Sequence, residues 1–237
     1  MTLTATPAST PDWRTPLRAG LVLLGVALGG SFAASELAGT AAATGALAMT
    51  AAPLVGIAGG VLLLLRALPR LARAGRMRTL ARRVEHALGD EFAVLASYHP
   101  RAGREVEIDL VVVGPTGVFA IEVCELVVEL ACYDDVWYRR HGSAAWRLPA
   151  SPSIVARWKS SRLKLDVASS GFARTGVEPV VLIPYSRAVE INGCSTNVLE
   201  GLGALAKYVR GWNGSPLSES RARAIARTLS GTLGIAS

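Results

Sequence analysis

Apolar and polar positions alternate most clearly over residues 105 to 125. Glu-Val-Glu-Ile-Asp-Leu-Val-Val-Val leads into Gly-Pro-Thr-Gly and then Val-Phe-Ala-Ile-Glu-Val-Cys-Glu. Two β-branched and aliphatic runs around four turn formers predict an antiparallel hairpin. With Gly114 to Gly117 as the loop, Val113 faces Val118, Val111 faces Ala120, Asp109 faces Glu122 and Glu107 faces Cys124. Alternation places Ile108, Leu110, Val112, Phe119, Ile121 and Val123 together on the other face, which must be covered and is therefore core.

The pattern around the hairpin supplies its neighbours. Leu80, Val84 and Leu88, with Ala81 and Ala87, recur at helical spacing up to Gly89. Phe92 to Tyr98 reads as a strand, and Leu126 to Arg140 as a third and fourth strand with Asp134-Asp135 at the tip and Trp137 and Tyr138 near an edge. Ser151-Pro152-Ser153 opens a helix. Ile154, Trp158 and Leu165 line one side of it, and Arg157 and Lys164 another, a basic side expected to be solvated. Val177 to Pro184 reads as a buried central strand, followed by short edge strands at Val189 to Ile191 and Thr196 to Leu199. A helix from Leu202 to Arg210 and a last one capped by Ser218, with Ala222, Ile225, Ala226 and Leu229 inward, complete an α+β domain over 91–237.

The N-terminal third has a different character. Residues 1–16 are rich in Thr, Ala and Pro without periodicity, which predicts a disordered tail. Two apolar segments follow within 17–66, Ala19 to about Leu37 and about Gly45 to Leu65, each near the length that spans a bilayer. Gly25, Gly29, Gly30, Gly56, Gly59 and Gly60 would let two such helices approach closely. A cleaved leader ending near Ser31 is the competing reading of the first segment. These segments account for a hydrophobic fraction of 51%, a charged fraction of only 18% and a mean hydropathy of +0.36, values too apolar for an ordinary soluble domain.

Charge sharpens the topology. The net charge of +7 resembles a nucleic-acid footprint until its location is traced. Acids and bases cancel over 1–65 and again over 84–237, so the whole excess is the arginine run Arg66, Arg70, Arg73, Arg76, Arg78, Arg82 and Arg83. Directly after an apolar span, such a run keeps its side of the chain in the cytoplasm and attracts anionic lipid. The expectation is an inner-membrane hairpin over 17–66, a basic juxtamembrane helix over 67–90 and a cytoplasmic domain. Cys124, Cys132 and Cys194 are odd in number and lack CxxC spacing, so neither a disulfide framework nor a zinc ribbon is indicated and a reducing compartment fits best. Cys124 and Cys132 could share a metal with His141 or His99, but buried free thiols are commoner.

The candidate chemistry is the opposed pair Asp109 and Glu122. Like charges directly across a hairpin repel. A divalent cation held between them, with the backbone carbonyl of Val123 as a third oxygen, turns that repulsion into a hard-cation site. Exposure of both carboxylates to screening water is the alternative. Glu-Ile-Asp-Leu-Val-Val-Val-Gly-Pro-Thr-Gly-Val-Phe-Ala-Ile-Glu-Val resembles the central hairpin of the NERD (nuclease-related) domain, a branch of the PD-(D/E)xK nuclease superfamily. The resemblance implies a mixed sheet flanked by helices and a magnesium- or manganese-dependent phosphodiesterase acting on DNA, with Asp109 and Glu122 as the metal-binding acids.

The same resemblance implies a lysine two residues after the glutamate, and here Cys124 stands there. It also implies a glutamate on the preceding helix and a glutamine after the proline of the next, where Ala81 and Val155 stand. Glu85, one turn beyond Ala81, is the nearby acid that could replace the former, and Glu107 flanks the pair. A thiol supplies no positive charge, and a thiolate beside Glu107 and Glu122 is disfavoured. A migrated cation, Lys159, Lys164 or Arg157 from the neighbouring helix, would restore the missing charge. Two functions stay open: a membrane-anchored nuclease, or a non-catalytic relative that binds nucleic acid or a protein partner at the membrane.

Overall fold

A computed structural model describes residues 72–101, 106–185 and 188–234, together with positions 61, 65, 68 and 69. Both expected membrane spans lie outside these residues. No helix among the described residues is long and apolar enough to cross a membrane.

From Met77 onward the described residues form one compact unit. Helix α1 covers 72–88 and ends where Gly89, at φ +83°, takes the left-handed conformation that favours glycine. Its last carbonyls, those of Ala87 and Leu88, accept hydrogen bonds from the Arg210 guanidinium. Strand β1 (Ala93–Tyr98) leads to the hairpin of β2 (Ile108–Gly114) and β3 (Gly117–Val123). A second hairpin, β4 (Glu129–Tyr133) and β5 (Val136–His141), continues into β6 (Ala144–Arg147). Helix α2 (Pro152–Val167) precedes β7 (Val177–Ile183), β8 (Ala188–Asn192), β9 (Asn197–Glu200), α3 (Gly201–Gly211) and α4 (Glu219–Gly234).

The central sheet has the order β1-β2-β3-β7-β9, antiparallel through β3 and parallel beyond it. The second sheet has the order β6-β5-β4-β8. On one side of the central sheet, Met77, Leu80, Val84 and Leu88 of α1 pack with Leu205 and Val209 of α3 against Leu110, Val112, Phe119 and Ile121. On the other side, Leu163 and Val167 of α2 pack with Ala222, Ile225 and Leu229 of α4 against Val111, Val113, Val118 and Ala120. A third cluster seals the second sheet to α2 through Leu130, Trp137, Ala156, Val181 and Ile183. The result is an α+β fold with mixed sheets flanked by helices, as the pattern predicts.

The hairpin register matches expectation at Val113–Val118 and Val111–Ala120. The loop is tighter than four residues, because Gly114 and Gly117 still pair and only Pro115 and Thr116 turn. Both faces of the hairpin are core, not one. A parallel strand on its flank brings α2 over the second face, which alternation within one hairpin cannot reveal. Ile108 packs with that second face, beside Tyr98 and Val111, instead of with Leu110.

Four other expectations change. Helix α1 from Met77 on is part of the domain core, so the fold begins well before the boundary expected at residue 90. Trp137 is fully buried and β5 is interior, because β6, which the alternation did not announce, forms the edge. Ile154, Trp158 and Leu165 face solvent, while the buried side of α2 carries Ala156, Lys159, Leu163 and Asp166. Cys132 and Cys194 are joined as a disulfide with Cα atoms 6.4 Å apart, which rules out a metal shared between Cys124 and Cys132, corrects the reading of three free thiols and removes the cysteine argument for a reducing compartment.

Gly114 permits the close approach of Phe92 to the hairpin end. A Cβ built at Gly114 lies 2.1 Å from the Phe92 ring. Gly114→Ala is therefore expected to destabilise the domain by about 1–3 kcal/mol through overpacking. A thermal or urea unfolding midpoint equal to that of the wild type would show that the ring can move aside.

Candidate functional site

The β2–β3 ladder ends at Leu110–Ile121. One step outward come Asp109 and Glu122. There the Asp109 side chain takes over a backbone role, accepting the Val123 N–H at Oδ2 over 2.9 Å. The carboxylate is fully buried, and this bond locks it against the strand that carries Glu122. The neighbouring backbone is held by a parallel strand: Glu122 pairs with Val181, and the Cys124 N–H donates to the Leu182 carbonyl at 2.9 Å.

Neither carboxylate points into open water. Lys159, from the middle of α2, is buried and inserts its ammonium between them. Its Nζ donates a hydrogen bond to Glu122 Oε2 and stands 3.8 Å from Asp109 Oδ2. Of the three candidate migrated cations, Lys159 alone meets the pair. Lys164 is exposed, and Arg157, also exposed, lies 3.9 Å from Asp135.

Two anchors fix the helix that delivers this lysine. At its start, Ser151 caps Ile154 N, and the Ser153 hydroxyl accepts the Trp137 indole N–H at 2.8 Å. Near its end, the Tyr98 hydroxyl donates to the buried Asp166 carboxylate. Lys159 and Asp166 are seven residues apart, two turns on one helical face, and that face is the buried one.

Two carboxylates and one ammonium leave a net negative charge in a dry place. Glu122 registers it: its pKa is pushed up to about 7, first by burial and then by the Asp109 charge, against the pull of Lys159. Burial also pushes the Cys124 thiol up, with Glu122 adding to it, so Cys124 is a neutral thiol at pH 7 and not a nucleophile. Glu122 and Cys124 line an open groove of about 490 Å³ whose other walls include Glu125, Arg139, Arg147 and Leu148. The groove reaches the acid pair at Glu122.

The remaining candidates are dispersed. Glu85 and Ala81 belong to α1, and α1 packs on the face of the sheet opposite to α2 and Lys159. Glu107 is half-buried just before β2, and Val155 is half-buried in the first turns of α2. Sequence reading passed over Arg139 and Arg147, because only the second sheet, folded back beside β3, brings them to the groove. A lone buried cation among the apolar positions of α2 is the signal that marks Lys159: it lies at the i+3 and i−4 positions of Ala156 and Leu163.

Comparison with known families matches residues 72–184 to the family described as Nuclease-related domain (NERD). Residues 72–184 carry a NERD domain. This span takes in α1, the acid-bearing hairpin, the second hairpin, α2 and β7, so every residue of the triad Asp109, Glu122 and Lys159 falls within it. No curated protein and no solved structure matches the chain.

The raised pKa of Glu122 makes a stability prediction for the NERD domain. Between the ordinary carboxylate value of 4.5 and about 7, the folded state holds a proton that the unfolded chain releases. Stability therefore falls as pH rises through that window and levels off above it. Glu122→Gln removes the penalty. The variant is expected to match wild type near pH 5 and exceed it near pH 8 by roughly 1–3 kcal/mol, read from unfolding midpoints in metal-free buffer. A variant less stable than wild type at the higher pH would mean that the Lys159 bond outweighs the burial of the charge.

Proposed function

We propose that the chain is a membrane-anchored, metal-dependent phosphodiesterase of the nuclease-related kind, with Lys159 replacing the lysine that Cys124 displaced. The observation that carries this reading is the contact of one buried ammonium with both carboxylates. Phosphodiester hydrolysis requires fixed positive charge where negative charge develops on phosphorus-bound oxygen. A helix lysine that reaches both carboxylates supplies fixed positive charge at the acid pair, where the resemblance implies a strand lysine.

The residues suit a hard divalent cation. Asp109, Glu122 and the Val123 carbonyl offer oxygen donors, and the elevated pKa of Glu122 reflects a site short of positive charge. A bound magnesium or manganese ion supplies Lewis acidity toward a phosphoryl oxygen. Asp109, held by the Val123 N–H, provides a permanently oriented carboxylate. Glu122 provides the one that reaches the groove and must lose its proton before it can serve as a donor. Lys159 holds Glu122 in place and brings positive charge to the acid pair, while Cys124, neutral and buried, takes no part in proton transfer.

The anchoring is read from the two apolar segments within 17–66 and the arginine run that follows them. With those arginines on the cytoplasmic side against anionic lipid, the domain works at the inner face of the membrane on DNA.

Cleavage of supercoiled plasmid by the full chain in detergent, with magnesium or manganese, tests the reading. Asp109→Asn and Lys159→Ala are each expected to lower the rate a hundredfold or more, equivalent to about 3 kcal/mol of transition-state stabilisation. Lys164→Ala should cleave like wild type. Circular dichroism must show the Lys159 variant folded, since removing one partner of a buried charge cluster costs about 3–5 kcal/mol of stability. No metal-dependent cleavage by wild type, with no manganese binding that Asp109→Asn removes, would leave a non-catalytic binding module.

A further inference from the structure

We infer that the groove beside Glu122 takes a single strand of nucleic acid, with Arg139 on a phosphate and Trp146 stacked against a base. The inference deepens the phosphodiesterase reading and rests on it for the class of ligand. Everything else comes from the β5–β6 hairpin.

That hairpin pairs Arg139 with Trp146 and Tyr138 with Arg147. Arg139 and Arg147 line the groove, are exposed, and form no ion pair among the described residues. The groove walls carry Glu122 and Glu125 as well as the arginines, and Arg139, with no ion-pair partner among the described residues, is the cation placed to meet a phosphate. The Arg139 guanidinium lies 5.4 Å from the centre of the Trp146 ring, and that indole is 47% exposed on an edge strand. An exposed indole backed by a guanidinium is a stacking platform.

Platform and groove together select the ligand. Bases within a duplex are already stacked and paired, so Trp146 gains only from a base that is free to splay. A groove of about 490 Å³ is in the range of small-ligand sites and has room for a nucleotide or two. A single strand running from Trp146 across Arg139 arrives at Glu122, the one member of the acid pair that meets the groove. DNA and RNA share this chemistry.

The test measures binding without metal, so that it does not depend on cleavage. Full chain in detergent with EDTA is titrated into fluorescein-labelled dodecamers of thymidylate, uridylate and blunt DNA duplex, followed by anisotropy. Both single strands, or the one whose sugar the groove accepts, are expected to bind about tenfold or more tighter than the duplex. Trp146→Ala should weaken the preferred single strand about tenfold while Trp146→Phe retains it. Arg139→Ala should reduce the slope of log affinity against log salt by about 0.7, the value for one phosphate contact. Duplex binding as tight as single-strand binding, or single-strand binding unchanged in Trp146→Ala and in Arg139→Ala, overturns the inference, as does failure of both single strands to bind at low salt. The two proposals fail separately. Strand binding that depends on Trp146 without any cleavage removes the phosphodiesterase and keeps the groove. Duplex cleavage indifferent to Trp146→Ala does the reverse.

Discussion

Two carboxylates facing each other inside a sheet that is covered on both sides impose the constraint around which the rest of this domain is arranged. An uncompensated pair there would carry both mutual repulsion and the loss of water. Asp109 is relieved by the Val123 N–H, and both acids by Lys159. The lysine must come from outside the hairpin, because the residue at the strand position nearest to Glu122 on the same face is Cys124. A helix therefore has to lie across this face at a fixed height and rotation. The wall of α2 is a packing surface and an electrostatic component at once.

That requirement explains why the second sheet is welded to the start of α2. The Trp137 indole donates to Ser153, the Thr196 hydroxyl donates to the Ser153 carbonyl, and the Ser195 N–H donates to Asp135, whose other oxygen faces Arg157. The disulfide between Cys132 and Cys194 closes the same corner, joining β4 to the segment that carries Ser195 and Thr196. At the far end, Tyr98 from the edge strand of the central sheet holds Asp166. Each bond alone is worth only about 1 kcal/mol. Together they bracket Lys159 from both ends, so the helix cannot slide or roll without breaking several at once.

Much of this was legible in the sequence, where local physics decides. The hairpin register follows from its turn residues and alternation, and the inward faces of α1 and α4 follow from helical spacing. The cap at Ser151 and the αL glycine after α1 are equally local. What could not be read is what nonlocal packing decides. Alternation showed one buried face of the hairpin, whereas the parallel pairing with β7 buries the other. The stripe Ile154, Trp158 and Leu165 looked like a core face by composition, yet the side of α2 that turns inward holds Lys159 and Asp166, because their partners on the sheet are Glu122 and Tyr98. Polar residues won the interior there by pairing, and apolar ones were left outside. Cys132 and Cys194 are sixty-two residues apart, and no spacing rule links them.

The arrangement also orders events at the site. Asp109 is sealed, Lys159 nearly so, and Glu122 is the member that borders the groove. Whatever cation or phosphate approaches must do so past Glu122. With its pKa at about 7, that residue is a mixture of protonated and ionised forms at neutral pH, so a cation bound there would compete with a proton. A divalent ion held by these oxygens would add positive charge that the buried cluster lacks and would favour the ionised form of Glu122. Lys159 does not need to leave for this to happen, because its bond is to one oxygen of Glu122 and its distance to Asp109 already exceeds a hydrogen bond. The lysine could thus keep Glu122 oriented if the carboxylate took up a cation, a role that a strand residue at position 124 could fill only from the groove side.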